Sequence, residues 1–164
     1  MARNKAMERL RRLFNTAVDG AVVLLITSMV VVVFAQVFFR YVIRDSPPWT
    51  EEFSRFNFIW LTFMGAVAAF RRRGHLIIET LITLLPKKIS GALVLPVQLM
   101  ISALLIILIY QGIILCRSGW YTMASTMNFP LTFIYLAVPL SALLMLLYQF
   151  FWLVDFLKGG TTTK

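Results

Sequence analysis

The sequence predicts an all-α integral membrane protein with four transmembrane helices, and three features carry that prediction. Of the 164 residues, 60% are hydrophobic and only 14% are charged, where a soluble domain carries about 25% charge. The apolar residues gather in four blocks separated by charged segments, the pattern that hydropathy reads as four spans. Lys and Arg outnumber Asp and Glu by 16 to 7, and they concentrate in alternate connections, as in a multi-pass protein oriented by its basic loops. The spans are placed at about 17–43, 49–71, 89–117 and 130–156 in one membrane domain covering 1–164. A short amphipathic interfacial helix is expected at about 75–85, between spans two and three.

Ahead of span one stand Arg3, Lys5, Arg9, Arg11 and Arg12, with Leu10, Leu13 and Phe14 beginning an apolar face. This is not the pattern of a cleavable signal peptide: the apolar run is long, and no small-residue cleavage site precedes the next charges. Span one is uncharged from Gly20 to Phe39 and rich in Val and Leu. Thr27 and Ser28 can bond the backbone one turn back and need no partner helix for it. Arg44, Asp45, Ser46, Pro47 and Pro48 follow, and two consecutive prolines forbid a continuing helix there.

Span two carries the most informative residues. The uncharged run from Phe56 to Phe70 is shorter than the roughly 20 residues a helix needs to cross a bilayer. The helix must therefore start near Trp49, which draws Glu51, Glu52 and Arg55 into or close to the membrane. Ionisable groups at that depth need partners and are functional candidates by default. Both carboxylates stand at helical spacing from the Arg55 guanidinium. Two readings follow: a self-neutralised helix start, with acids at the positive end of the helix dipole, or a polar contact with another subunit or a lipid headgroup. Gly65 and Ala69 form a small-xxx-small pair that permits close helix packing, so this face is expected against another helix.

Arg71, Arg72 and Arg73 close span two. In the interfacial segment His75, Glu79 and Thr83 recur on one helical face, which suits a helix lying in the membrane surface. His75 and Glu79 alone do not make a metal site. Lys87 and Lys88 precede span three, which contains Pro96 and ends at Arg117; Trp120 and Tyr121 supply an interfacial aromatic belt. Pro130 is expected as the first helical residue of span four, which contains Pro139. The basic tail before span one, the Arg71–Lys88 segment and the C-terminal tail fall on one side. Only Arg40, Arg44 and Arg117 fall on the other, which places both termini in the cytoplasm.

The same residues exclude several functions. The net charge of +9 lies beside apolar spans, where it sets topology and attracts anionic lipid rather than nucleic acid. The single Cys116 and single His75 exclude a disulfide framework and weigh against a haem held by two histidines. Nothing gathers the nucleophile, acid–base pair or metal that an enzyme needs. What is left is a packing, scaffold or partner-binding membrane subunit. The alternatives are an autonomous four-helix transporter or channel acting as a homo-oligomer, and a sensor or assembly factor for an unrelated complex.

The successive motifs Gln36-Val37-Phe38-Phe39-Arg40-Tyr41, Trp49-Thr50-Glu51-Glu52-Phe53-Ser54-Arg55, Trp60-Leu61-Thr62-Phe63-Met64-Gly65-Ala66 and Arg73-Gly74-His75-Leu76 resemble one family. It is the small membrane subunit of TRAP (tripartite ATP-independent periplasmic) transporters, the DctQ or SiaQ type. Asn128-Phe129-Pro130 and Ala137-Val138-Pro139 fit its fourth span. The resemblance implies a four-span protein of the bacterial inner membrane, partnered by a large membrane subunit with substrate and sodium sites and by a periplasmic substrate-binding protein. That implied transporter carries an organic acid of the sialic acid or C4-dicarboxylate type on a sodium gradient. It implies no cofactor in this chain, and bound phospholipid at the subunit interface is compatible with it. Under this resemblance Arg40, Trp49, Glu51, Glu52, Arg55, Trp60 and Gly65 are the expected interface residues.

Overall fold

A computed structural model describes residues 2–44, 47–73 and 87–157, with side chains over 12–44, 47–72 and 96–153. Four helices are long and apolar enough to cross a membrane, spanning Arg12–Ile43, Pro48–Arg72, Pro96–Gly119 and Thr132–Leu153. The helix expected at about 75–85, with His75 and Glu79, lies outside the described residues.

Helix α1 runs Ala2–Phe38 and passes into a π-helical turn, Phe39–Ile43, which stops at Arg44 in the left-handed conformation. Helix α2, Pro48–Arg73, opens on a proline, which is tolerated because the first helical N–H has no intrahelical partner. Thr50 secures that start by donating its hydroxyl to the Pro47 carbonyl (2.7 Å). Helix α3 covers Lys87–Gly119 with Pro96 inside it.

Span four begins later than expected. Pro130 is held in an isolated antiparallel bridge with Met123, so it closes a connecting loop instead of opening a helix. The loop is pinned by Ala124 N–H to the Phe129 carbonyl (2.9 Å) and Leu131 N–H to the Thr122 carbonyl (3.0 Å). A short helix α4, Thr132–Tyr135, then leads into α5, Ala137–Leu157. The interruption at Leu136 follows from Pro139, which has no N–H to return to the Tyr135 carbonyl.

The helices form an open row. Among the described residues α1 packs on α2, α2 on α5, and α5 on α3. Val67 and Ala137 are fully buried at the centre, with Met64, Leu105, Ile134 and Ala142 around them. Two glycines set the spacing of α3 against the fourth span. A Cβ on Gly112 would lie 2.8 Å from Pro139 Cδ, and one on Gly119 would lie 2.6 Å from the Tyr135 ring.

Buried polar side chains tie the row together. Asn57 of α2 donates to Ser28 Oγ (2.7 Å) and the Leu25 carbonyl (3.2 Å) of α1. Gln149 of α5 donates to Gln98 Oε1 (2.9 Å) and the Gln98 carbonyl (3.0 Å) of α3. Such bonds matter in a bilayer because lipid offers no replacement partner, although each contributes only about 0.6–2 kcal/mol.

Candidate functional site

Polar chemistry concentrates at the two ends of α2. At its start, neighbouring side chains diverge into two stripes. Glu52, Phe56 and Trp60, four residues apart, face the loop between spans three and four. The Glu52 carboxylate accepts from Ser125 N–H (2.9 Å), Thr126 N–H (2.8 Å) and Met127 N–H (3.2 Å). One turn deeper, Phe56 meets Phe129 edge to face at 5.3 Å, and Phe129 meets Phe133 at 6.5 Å. A further turn in, Trp60 Nε1–H donates to the Phe133 carbonyl (3.1 Å). Three successive turns of α2 thus hold a connection some seventy residues further along the chain.

The other stripe begins at Glu51, which meets Arg55 at 3.5 Å with both side chains mostly exposed. The expectation that both carboxylates sit beside Arg55 is therefore corrected: only Glu51 does. A residue adjacent on a helix is turned by about 100°, and Glu52 turns to three loop amides, which satisfy a carboxylate better than a shared, exposed guanidinium. Arg40 is exposed on the π-helical turn and Trp49 is exposed at the start of α2; among the described residues neither joins Glu51 or Glu52. Gly65 has nothing within 4 Å of where a Cβ would stand, and Ala69 is exposed. Among the described residues, then, no helix covers the Gly65–Ala69 face that was expected to be packed.

The far end of α2 carries a cluster that sequence reasoning did not single out. Arg71 donates to Asp19 Oδ1 (2.5 Å) and to the Asn15 carbonyl (3.0 Å), and Arg72 approaches the same carboxylate at 3.8 Å. The Tyr148 hydroxyl donates to Asn15 Oδ1 (3.0 Å), which brings α5 into the cluster. The signal was available: Asp19 is the one acid just ahead of the uncharged run, and Arg71 follows directly on the second. The Arg71 side chain is 14% exposed and that of Asp19 44%. Asp19→Ala strands a nearly buried guanidinium, with an expected loss on the order of 1–2 kcal/mol, less than for a fully buried pair because Asp19 is partly solvated. A thermal melt of Asp19→Ala against Asp19→Asn, which keeps an acceptor oxygen, checks this.

The arrangement binds and braces. The loop amides form an anion-holding turn already filled by the chain's own carboxylate. Among the described residues no group of three or more His, Cys, Asp or Glu side chains is disposed to hold a metal. An open, apolar groove runs along α1 past Gly20, Val23, Leu24 and Val31, with Phe53 of α2 beside it.

Residues 29–159 match the family described as "Tripartite ATP-independent periplasmic transporters, DctQ component". The chain belongs to the DctQ family. The family is a membrane component of a transporter and not an enzyme. The DctQ chain is 36% identical over 80 residues to a protein of Haemophilus influenzae described as a TRAP transporter small permease, covering 49% of this chain and 50% of that one. It is 27% identical over 93 residues to the sialic acid TRAP transporter small permease protein SiaQ of Vibrio cholerae, covering 57% and 54%. It is also 26% identical over 115 residues to the sialic acid TRAP transporter permease protein SiaT of Haemophilus influenzae, covering 70% of this chain but 19% of that one. The chain thus spans about half the length of the two small permeases.

Proposed function

We propose that this chain is the small membrane subunit of a TRAP transporter for an organic acid, of the sialic acid or C4-dicarboxylate type. The observation that carries the proposal is the family match over residues 29–159, which takes in most of the four spans. In this role the chain braces a large permease subunit, and the sodium and substrate sites lie on that partner. The brace is physically sensible here, because the residues of this chain are spent on holding its own helices and loop in register. Glu52, Phe56 and Trp60 fix one end, and Arg71, Asp19 and Tyr148 fix the other.

The basic residues orient the subunit. The Arg71–Asp19 end, with the basic N-terminal segment, is cytoplasmic, and the Glu52-held loop is periplasmic. The loop exposes Trp120, Tyr121 and Met123 on that side, where a periplasmic substrate-binding protein would dock against the membrane complex. The localisation is the bacterial inner membrane.

Purification of the tagged chain in mild detergent from its native membranes tests the proposal. A many-span permease in stoichiometric amount is the expected companion. A clean homo-oligomer would overturn the proposal in favour of an autonomous transporter or channel.

A further inference from the structure

The outward faces of the four spans differ in kind. The edge helices α1 and α3 expose broad apolar surfaces, among them Leu24, Val31 and Phe34 on α1 and Met100, Ile107 and Ile114 on α3. The inner helices α2 and α5 each leave only a narrow stripe outward. On α5 it is Leu136 from the preceding turn, then Leu140, Leu143 and Phe150, a surface that acyl chains solvate well. On α2 it is Glu51, Arg55, Phe58, Thr62, Ala66 and Ala69. These positions recur at three- and four-residue steps, so they form one continuous face.

Two independent features set the α2 stripe apart from a lipid-facing one. Its deep half is small: Ala66 and Ala69 are exposed, and Gly65 beside them has open space over its Cα. Small residues let another helix backbone approach closely, which drives association where lipid removes the hydrophobic effect between helices. Its shallow half is charged, with Arg55 and Glu51 facing outward, 68% and 73% exposed. Depth makes this costly. Arg55 and Arg71 are separated along the helix by about 24 Å at ~1.5 Å per residue, less than the ~30 Å hydrocarbon core. Their Cα atoms cannot both lie outside that core, so at least one guanidinium must reach out of it along its own stem or be paired. Arg71 is neutralised inside the chain by Asp19, whereas among the described residues Arg55 has the long, exposed contact with Glu51 and no other ion pair.

We propose that this α2 stripe is the seat of a transmembrane helix of the large permease polypeptide. The inference rests on the small-subunit reading and sharpens it by choosing the face. The occupant is a membrane-spanning protein helix because the stripe offers close backbone approach at Gly65 and Ala66, near the midpoint between Arg55 and Arg71, and an ion pair to be shielded at one end. A relative supports that choice: SiaT carries the matching segment as 19% of a longer permease chain, so further permease polypeptide is covalently tied to this segment there. The partner helix presents small side chains opposite Ala66 and Ala69, and a polar or charged side chain opposite Arg55 and Glu51. Glu52 and Trp60 are excluded from the seat because they are turned to the loop and to Phe133.

The test is photo-crosslinking in the complex purified from native membranes. The probe p-benzoylphenylalanine replaces Thr62 or Ala69 on α2 and, separately, Leu140 or Leu143 on the fourth span. Mass spectrometry is expected to find adducts with the large permease from Thr62 and Ala69, and loss of adduct from Leu140 and Leu143. Co-purification of the large permease with adducts only from the fourth span, only to phospholipid, only to a second copy of this chain, or from no position would overturn the inference while leaving the small-subunit reading intact. Absence of the large permease from the wild-type preparation would overturn both. Ala66→Leu covers the case of a bulky probe blocking assembly: the isolated variant is expected to melt as the wild type but to lose the large permease on purification. Full recovery of the permease with Ala66→Leu would count against the seat.

Discussion

A Gly112→Val protein is expected to melt well below the wild type and to lose the close pairing of α3 with the fourth span. A Cβ at position 112 would stand 2.8 Å from Pro139 Cδ, 3.0 Å from its nitrogen and 3.1 Å from its Cβ. The proline ring has no alternative rotamer to adopt and its φ is fixed, so the helices themselves must part. Overpacking of this kind destabilises by on the order of 1–3 kcal/mol. Parting the helices also strains the buried Gln98–Gln149 bonds further along the same interface. Gly65→Val is the matched control, since nothing lies within 4 Å of a Cβ added there. Thermal melts of the two variants in detergent decide the matter: equal melting temperatures would show that α3 and the fourth span have slack at Gly112.

The second large effect is expected at Glu52. Glu52→Ala removes the acceptor of three backbone amides at once, those of Ser125, Thr126 and Met127. Hydrogen–deuterium exchange at these amides should quicken by on the order of tenfold or more as the loop opens locally. Glu52→Gln should fall between, because an amide keeps one acceptor oxygen but not the charge. Arg55→Ala should leave the same amides unchanged, since Arg55 pairs with Glu51 on the other stripe. Unaltered exchange in Glu52→Ala would mean that the Phe56–Phe129 contact and the Met123–Pro130 bridge hold the loop without the carboxylate.

The four spans were legible in the sequence because hydropathy alone decides them: runs such as Gly20 to Phe39 have no other stable setting. The backbone bonds of Thr27 and Ser28, to Val23 and Leu25 within their own helix, were legible too, although Ser28 also accepts from Asn57 of α2. Partner choice over long sequence separations was not. Spacing put Glu51 and Glu52 equally within reach of Arg55, and nothing local reveals the three loop amides some seventy residues away that claim Glu52. Pro130 misled for a related reason: proline suits a first helical turn, yet here a cross-loop bridge to Met123 takes it. Asn57 and Gln98 were polar interruptions in apolar runs whose partners only the packing shows. Close approaches at Gly112 and Gly119 depend on where the fourth span crosses α3, which no sequence pattern encodes. The stretch that the sequence singled out as a candidate interface is divided by the structure into Glu52 and Trp60 facing inward and Glu51, Arg55 and Gly65 left on or beside the outward face.

Reconstituted transport tests the small-subunit role most directly. Vesicles would carry the large permease with or without this chain, with the periplasmic binding protein and the labelled organic acid that it binds, sialic acid or a C4-dicarboxylate, outside and an inward sodium gradient imposed. Uptake is expected only when both membrane subunits are present, and is expected to stop when the sodium gradient is collapsed. Uptake by this chain alone, or uptake by the large permease undiminished in its absence, would contradict the role assigned to it.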